Sequence, residues 1–260
     1  MPNESVGRTV TVAIVVCVVC SIFVSTAAVT LKPIQDRNKV LDMQKNILIA
    51  AGLIEEGQKA DYEELFKQIE ARVIDLDTGD YVEDVSPEDF NPRKAAKDPA
   101  QSVVIPQKED IAKIKRRSNY RVVYFYRDGG SLRRVILPVY GKGLWSTMYG
   151  LLALDADLNT IGSFGFYEHG ETPGLGGEVD NKKWKKKWKG KQAFGPDGQP
   201  DIEVVKGTVD PDSPEIDYQV DGLSGATITA RGVQNLLRFW LGDDGYGPFL
   251  ERLKTEVNYG

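Results

Sequence analysis

The segment D-G-L-S-G-A-T-I-T at 221–229 collects the residue types that a phosphate group requires. Gly222 and Gly225 allow the backbone to come close, and Ser224, Thr227 and Thr229 supply hydroxyls. Val233, Leu236, Leu237, Trp240 and Leu241 follow at helical spacing, so the segment leads into a helix expected over 230–241 and stopped at Gly242. The first N–H groups of such a helix carry the positive end of its dipole toward an anion. An ordinary turn with Thr229 as the N-cap would use the same residues, and at this level both readings stand. A nucleotide P-loop is excluded, because no G-x-x-x-x-G-K-S/T occurs.

Three further clusters carry chemistry. In E-H-G-E-T-P-G-L-G-G at 168–177, the density of glycine around Pro173 predicts a shaped, non-helical loop of the kind that walls a site. Glu168 and Glu171 flank the single histidine, His169, as an acid/base group would, but no paired nucleophile accompanies them. The glycines do not follow a dinucleotide-binding fingerprint. In G-L-W-S-T at 143–147, Trp145 stands among small and hydroxyl residues, where an indole either stacks on a planar ligand or fills a core. In K-K-W-K-K-K-W-K at 182–189 two tryptophans stand four apart among lysines. That turn is either a solvated face over the core or a docking site for lipid headgroups or an acidic partner.

The elements that position these clusters can be read from periodicity. Residues 9–31 carry no charge between Arg8 and Lys32. As a helix they reach about 34 Å, against roughly 30 Å of bilayer hydrocarbon, which predicts a retained membrane span over a signal peptide cleaved at the small residues Ser25-Thr26-Ala27-Ala28. Charges on either side are too balanced to orient it. Cys17 and Cys20 both fall in that run, so the C-x-x-C is either small-residue packing on one helix face or a redox or metal pair. The remainder of the chain has no thiol, which excludes disulfides, thiolate zinc sites and cysteine-held iron–sulfur clusters there.

Helical spacing continues through 39–51 and again over 61–69, with Asp61 as a candidate cap. A strand is expected at 72–76, and the charged, four-proline stretch 86–110 is expected to be a surface excursion. Alternating apolar residues at 121–126 and 133–140, separated by Asp128-Gly129-Gly130, predict a hairpin; strands at 150–154, 161–167 and 202–207 follow. The fold class expected is α+β, a mostly antiparallel sheet with packed helices, preceded by one N-terminal transmembrane helix. The net charge of −5 argues against general affinity for nucleic acid, which would need a basic face over much of the molecule.

Taken together, D-G-L-S-G-A-T at 221–227 and E-T-P-G-L-G at 171–176 resemble the two signatures of FMN-binding domains. The single N-terminal span and the ending F-W-L-G, G-Y-G-P-F at 239–249 resemble, within that family, the NqrC component of Na+-translocating NADH:quinone reductases. The resemblance implies an organisation into a tail at 1–8, a span at 9–31, a membrane-proximal part at 32–118 and an FMN-binding domain at 119–260. It implies covalent FMN, held as a phosphoester on Thr227, with Ser224, Gly225 and Ala226 forming the turn and Trp145, Glu171, Thr172 and Leu175 lying along the isoalloxazine. No catalytic residue and no metal site is implied. The function implied is electron relay in the bacterial inner membrane with the soluble domain in the periplasm, the partners being the other membrane subunits of the reductase and a flavin transferase that attaches the FMN. The G subunit of an Rnf-type complex shares the motif, and a membrane-tethered binding module without redox chemistry is the reading from a different class.

Overall fold

The computed structural model describes residues 5–259. In chain order the elements are helix α1 (Val6–Ala51), helix α2 (Tyr62–Phe66), strand β1 (Ile69–Asp75), helix α3 (Pro92–Ala95), strands β2 (Ser102–Val104), β3 (Arg116–Ser118), β4 (Tyr120–Asp128), β5 (Ser131–Lys142), β6 (Thr147–Asp155) and β7 (Ile161–Glu168), helix α4 (Lys182–Lys186), strands β8 (Glu203–Val204) and β9 (Gln219–Val220), and helices α5 (Thr227–Leu241) and α6 (Gly247–Tyr259). The chain divides into two compact units, Met1–Gln44 and Lys45–Gly260. The first consists of most of α1, which is long and apolar enough to cross a membrane and buries none of its most apolar window. Of the expected tail, residues 1–4 lie outside the described residues, and helix begins at Val6.

The second unit is α+β. Five strands form an antiparallel meander in the order β1-β4-β5-β6-β7. The predicted hairpin is β4–β5, turned by Gly129 and Gly130 at positive φ, where the primed two-residue turn suits the strand twist. Because β1 pairs with β4 along its whole length, a boundary between 118 and 119 would divide one sheet. Register alternation sends Leu137 and Leu152 to one face, against α5 and α6, in a core that includes Leu236, Trp240, Phe249 and Leu253. Ile136 and its register partner Ala153 point to the other face. That face meets the last turns of α1, where Ile47 and Leu48 are buried and the Ala50 carbonyl accepts from Ser163 Oγ (3.0 Å) and Arg134 Nη1 (3.1 Å).

Several sequence expectations are corrected. The helix expected over 61–69 is the short α2, capped by Asp61 accepting from the Glu64 N–H; Ile69 already belongs to β1, because its burial against the sheet outweighs a weak helical pattern. The proline-rich stretch 86–110 is more than a surface excursion: it contributes α3 and β2, and it buries Ala95 and Ile105. The expected strand 202–207 contracts to β8, which pairs in parallel with β9. The helix after the S-G-A-T turn starts at Thr227 instead of 230, and a further helix, α6, follows it.

Candidate functional site

Two loops and the first turn of a helix converge on one buried carboxylate. The loop between β5 and β6 presents the N–H groups of Leu144, Trp145 and Ser146; the loop after β7 supplies Glu171; the first turn of α5 supplies Thr229. Glu171 Oε1 accepts from the Trp145 N–H (2.9 Å), the Ser146 N–H (3.0 Å) and Ser146 Oγ (3.1 Å). Its Oε2 accepts from the Leu144 N–H (3.1 Å) and from Thr229 Oγ1 (2.6 Å). Burial opposes ionisation, but these donors outweigh it and hold the carboxyl below the usual glutamate range. A carboxylate with five donors fastens the loops and has no capacity left for proton transfer.

The glycines around it serve this packing. A Cβ on Gly143 would lie 2.6 Å from Glu171 Oε1, and one on Gly176 would lie 2.6 Å from Thr229 Oγ1. The neighbouring polar groups are committed as well. His169 Nδ1 accepts from the Glu171 N–H (3.2 Å), which leaves Nε2 to donate to Asp180 Oδ2 (2.8 Å). Glu168 pairs with Arg93 at 2.8 Å, so none of the three residues of the suspected acid/base group is free for catalysis.

The two threonines at the start of α5 have opposite environments. Thr229 is buried and spent on Glu171, three residues into the helix, so it is not the N-cap; that position is Ala226, which offers no side-chain oxygen. Thr227, the first helical residue, is exposed, and so is Ser224. The turn before it is made by Gly225 at φ +69°, beside Leu175: a Cβ on Gly225 would lie 3.0 Å from Leu175 Cδ2. No side chain caps the helix, so its leading N–H groups stand beside an exposed hydroxyl. Around this turn and on the converging loops large apolar side chains face solvent: Trp145 at 66% exposure, Leu175 at 45%, with Leu144 and Ile228 also exposed. Thr172 is exposed on the same loop as Leu175.

The structure thus draws the loop of Trp145, the loop of Glu171, Thr172 and Leu175, and the turn of Ser224, Gly225, Ala226 and Thr227 to one place. Sequence reasoning missed Ser146, Thr229 as the partner of Glu171, and Ile228 as an exposed apolar neighbour of Thr227. The last had a visible signal, an isoleucine between two threonines where a polar residue would be expected.

This architecture defines a flavin-binding class of protein: the FMN-binding domain family matches residues 143–242, the span from the Trp145 loop to the end of α5. The NqrC component of the Na(+)-translocating NADH-quinone reductase of Pseudomonas aeruginosa is 53% identical over 254 residues, covering 97% of each chain, and that of Vibrio alginolyticus is 46% identical over 258 residues, covering 98% of each. The crystal structure of Shewanella oneidensis NqrC superposes with a TM-score of 0.75 at 42% identity, covering 82% of this chain and 97% of that one. The corresponding reductase component from Parabacteroides distasonis gives 0.65 at 27% identity, covering 85% and 96%. The chain belongs to the NqrC family of the Na+-translocating NADH-quinone reductase.

Proposed function

We propose that this chain is a membrane-anchored electron carrier whose FMN is bound covalently through its phosphate to Thr227. The observation that carries this reading is the contrast between the two threonines: Thr227 is exposed at an uncapped helix start, while Thr229 is buried and hydrogen-bonded. A phosphoester there would receive the leading N–H groups of α5 and the positive end of its dipole. Ser224, Gly225 and Ala226 form the turn, and the exposed Trp145, Leu175 and Thr172 supply a wall for a planar ring. Glu171 stands behind that wall as its fastening. When bound, the isoalloxazine supplies one-electron chemistry. The chain's own residues fix its position, exclude water with the apolar rim and leave one edge accessible. A tether suits a relay that must hold one donor and acceptor distance and must not lose its cofactor.

The same reading gives residues 9–31 as a single span of the bacterial inner membrane, with the soluble domain in the periplasm. The partners are the other membrane subunits of the quinone reductase, and a separate flavin transferase attaches the FMN. NqrC relatives matching 97% of this chain favour this over the G subunit of an Rnf-type complex. Thr227→Ala, produced together with the transferase, should lose covalent FMN by intact-protein mass while its melting temperature stays close to that of the native chain. FMN retained in that variant, or mapped to Thr229, would overturn the assignment. Protease added to intact spheroplasts should remove the soluble domain; full protection would reverse the orientation.

A further inference from the structure

The lysine-rich α4 does two separate things, and the fold accounts for only one. Trp184 and Trp188, four residues apart, are both buried, and their rings meet edge to face with centroids 5.3 Å apart. Trp188 also packs on Phe164 at 4.6 Å, and Trp184 Nε1 donates to the Asp221 carbonyl at 2.8 Å. The tryptophans therefore seat this turn against the strand of Phe164 and against the segment that runs into Thr227. With both indoles inward, the lysines between and around them point out: Lys182, Lys183, Lys186, Lys187 and Lys189 are exposed. Lys187 pairs with Asp221 and the half-buried Lys185 with Glu56. Among the described residues Lys182, Lys183, Lys186 and Lys189 have no acidic partner within ion-pair distance, while the nearby Asp180 is engaged by His169.

Like charges three and four apart on a helical turn repel, so this clustering opposes the local structure it decorates. The chain as a whole carries a net charge of −5, which makes the patch an exception to its own surface. Its place is specific, because the segment it grips through Asp221 leads within six residues to Thr227.

We propose that Lys182, Lys183, Lys186 and Lys189 form the docking surface for an acidic face of the protein that exchanges electrons with the FMN site; this rests on the carrier function proposed above. A partner of opposite sign gains from the whole cluster at once, and attraction near a transfer site raises the frequency of productive encounters. A lipid surface is disfavoured as the occupant, because interfacial binding needs apolar side chains beside the lysines, and here both tryptophans are withdrawn into the core.

The test uses the assembled complex carrying Lys182→Glu, Lys183→Glu, Lys186→Glu and Lys189→Glu together, reconstituted in neutral phosphatidylcholine vesicles and in vesicles containing anionic phosphatidylglycerol. FMN content is measured alongside the rate of NADH-driven quinone reduction at rising salt. At low salt the variant should be at least tenfold slower with FMN retained, and the difference should shrink at high salt, equally in both lipids. A native rate and salt profile in the variant would overturn the proposal, and so would a defect confined to anionic vesicles, which would assign the patch to lipid. Lys182→Gln, Lys183→Gln, Lys186→Gln and Lys189→Gln together should fall between native and reversed charge. If that neutral set is as slow as the reversed set at every salt concentration, the effect is structural and the proposal fails. Thr227→Ala in the same complex separates the two readings: full activity there would remove the carrier function itself, whereas its inactivity beside an unaffected lysine variant would remove only the docking surface.

Discussion

At the scale of single residues, Glu171 shows how a carboxylate can fasten converging segments of chain without performing chemistry. Its sequence context, two glutamates about a histidine, points to proton transfer, and that context does not reveal that five donors from the β5–β6 loop and the first turn of α5 would saturate it. Glu171→Gln keeps the shape but turns an NH2 group toward backbone or hydroxyl donors, so urea unfolding should show a loss of about 2–3 kcal/mol. An unchanged midpoint would mean the loops hold without it. The pH dependence follows from the same bonds. Because the folded pKa is lowered, the contribution is complete above roughly pH 4.5 and is lost as pH falls through the lowered folded value. The native chain should therefore destabilise more steeply on acidification than the Gln variant, whose side chain does not titrate. Thr229→Val, which removes one donor at similar volume, should cost about 1–2 kcal/mol and leave covalent FMN in place. Loss of the flavin instead would place Thr229 in the attachment itself.

At the scale of elements, what was legible followed local rules and what was not followed tertiary ones. The β4–β5 hairpin could be read because alternation and two glycines at positive φ act within some twenty residues. The start of α5 lies earlier than expected because Thr229, the N-cap its residue type suggests, gives its hydroxyl to Glu171, and the helix begins uncapped at Thr227. α6 opens on Gly247 and Pro248, and proline is well tolerated in the first turn of a helix. The converging loops join residues 25 to 58 apart in sequence, a pairing that no periodicity encodes. One contact sets how α5 is held over the β5–β6 loop: a Cβ on Gly232 would lie 2.5 Å from the Lys142 carbonyl, next to Gly143. Gly232→Ala should lower stability by about 1–3 kcal/mol through overpacking and, by pushing α5 from the loop of Trp145, should shift the flavin absorption spectrum. Calorimetry with the spectrum measured on the same sample checks both, and a stable variant with a native spectrum would show that α5 can move without cost.

At the scale of the whole molecule, α1 serves two units under one unbroken helical pattern. Its apolar stretch belongs to Met1–Gln44, while its last residues are part of the globular unit, where Ile47 and Leu48 are buried and the Ala50 carbonyl accepts from Ser163 and Arg134. Sequence spacing shows helix through both regions but does not show where one role ends. A chain beginning at Lys45 should therefore be soluble without detergent and unfold cooperatively, because it keeps the buried Ile47 and Leu48. One beginning at Leu53 loses two fully buried aliphatic side chains and the Ala50 carbonyl that Ser163 and Arg134 bond. At roughly 1.5–3 kcal/mol for each aliphatic side chain, that loss is a large share of the 5–15 kcal/mol typical of a domain. The shorter chain should melt far lower or bind dyes that report exposed apolar surface. Circular dichroism melts of the two chains decide the matter: equal transitions would show that the end of α1 is dispensable to the domain, and that the helix serves only as its anchor.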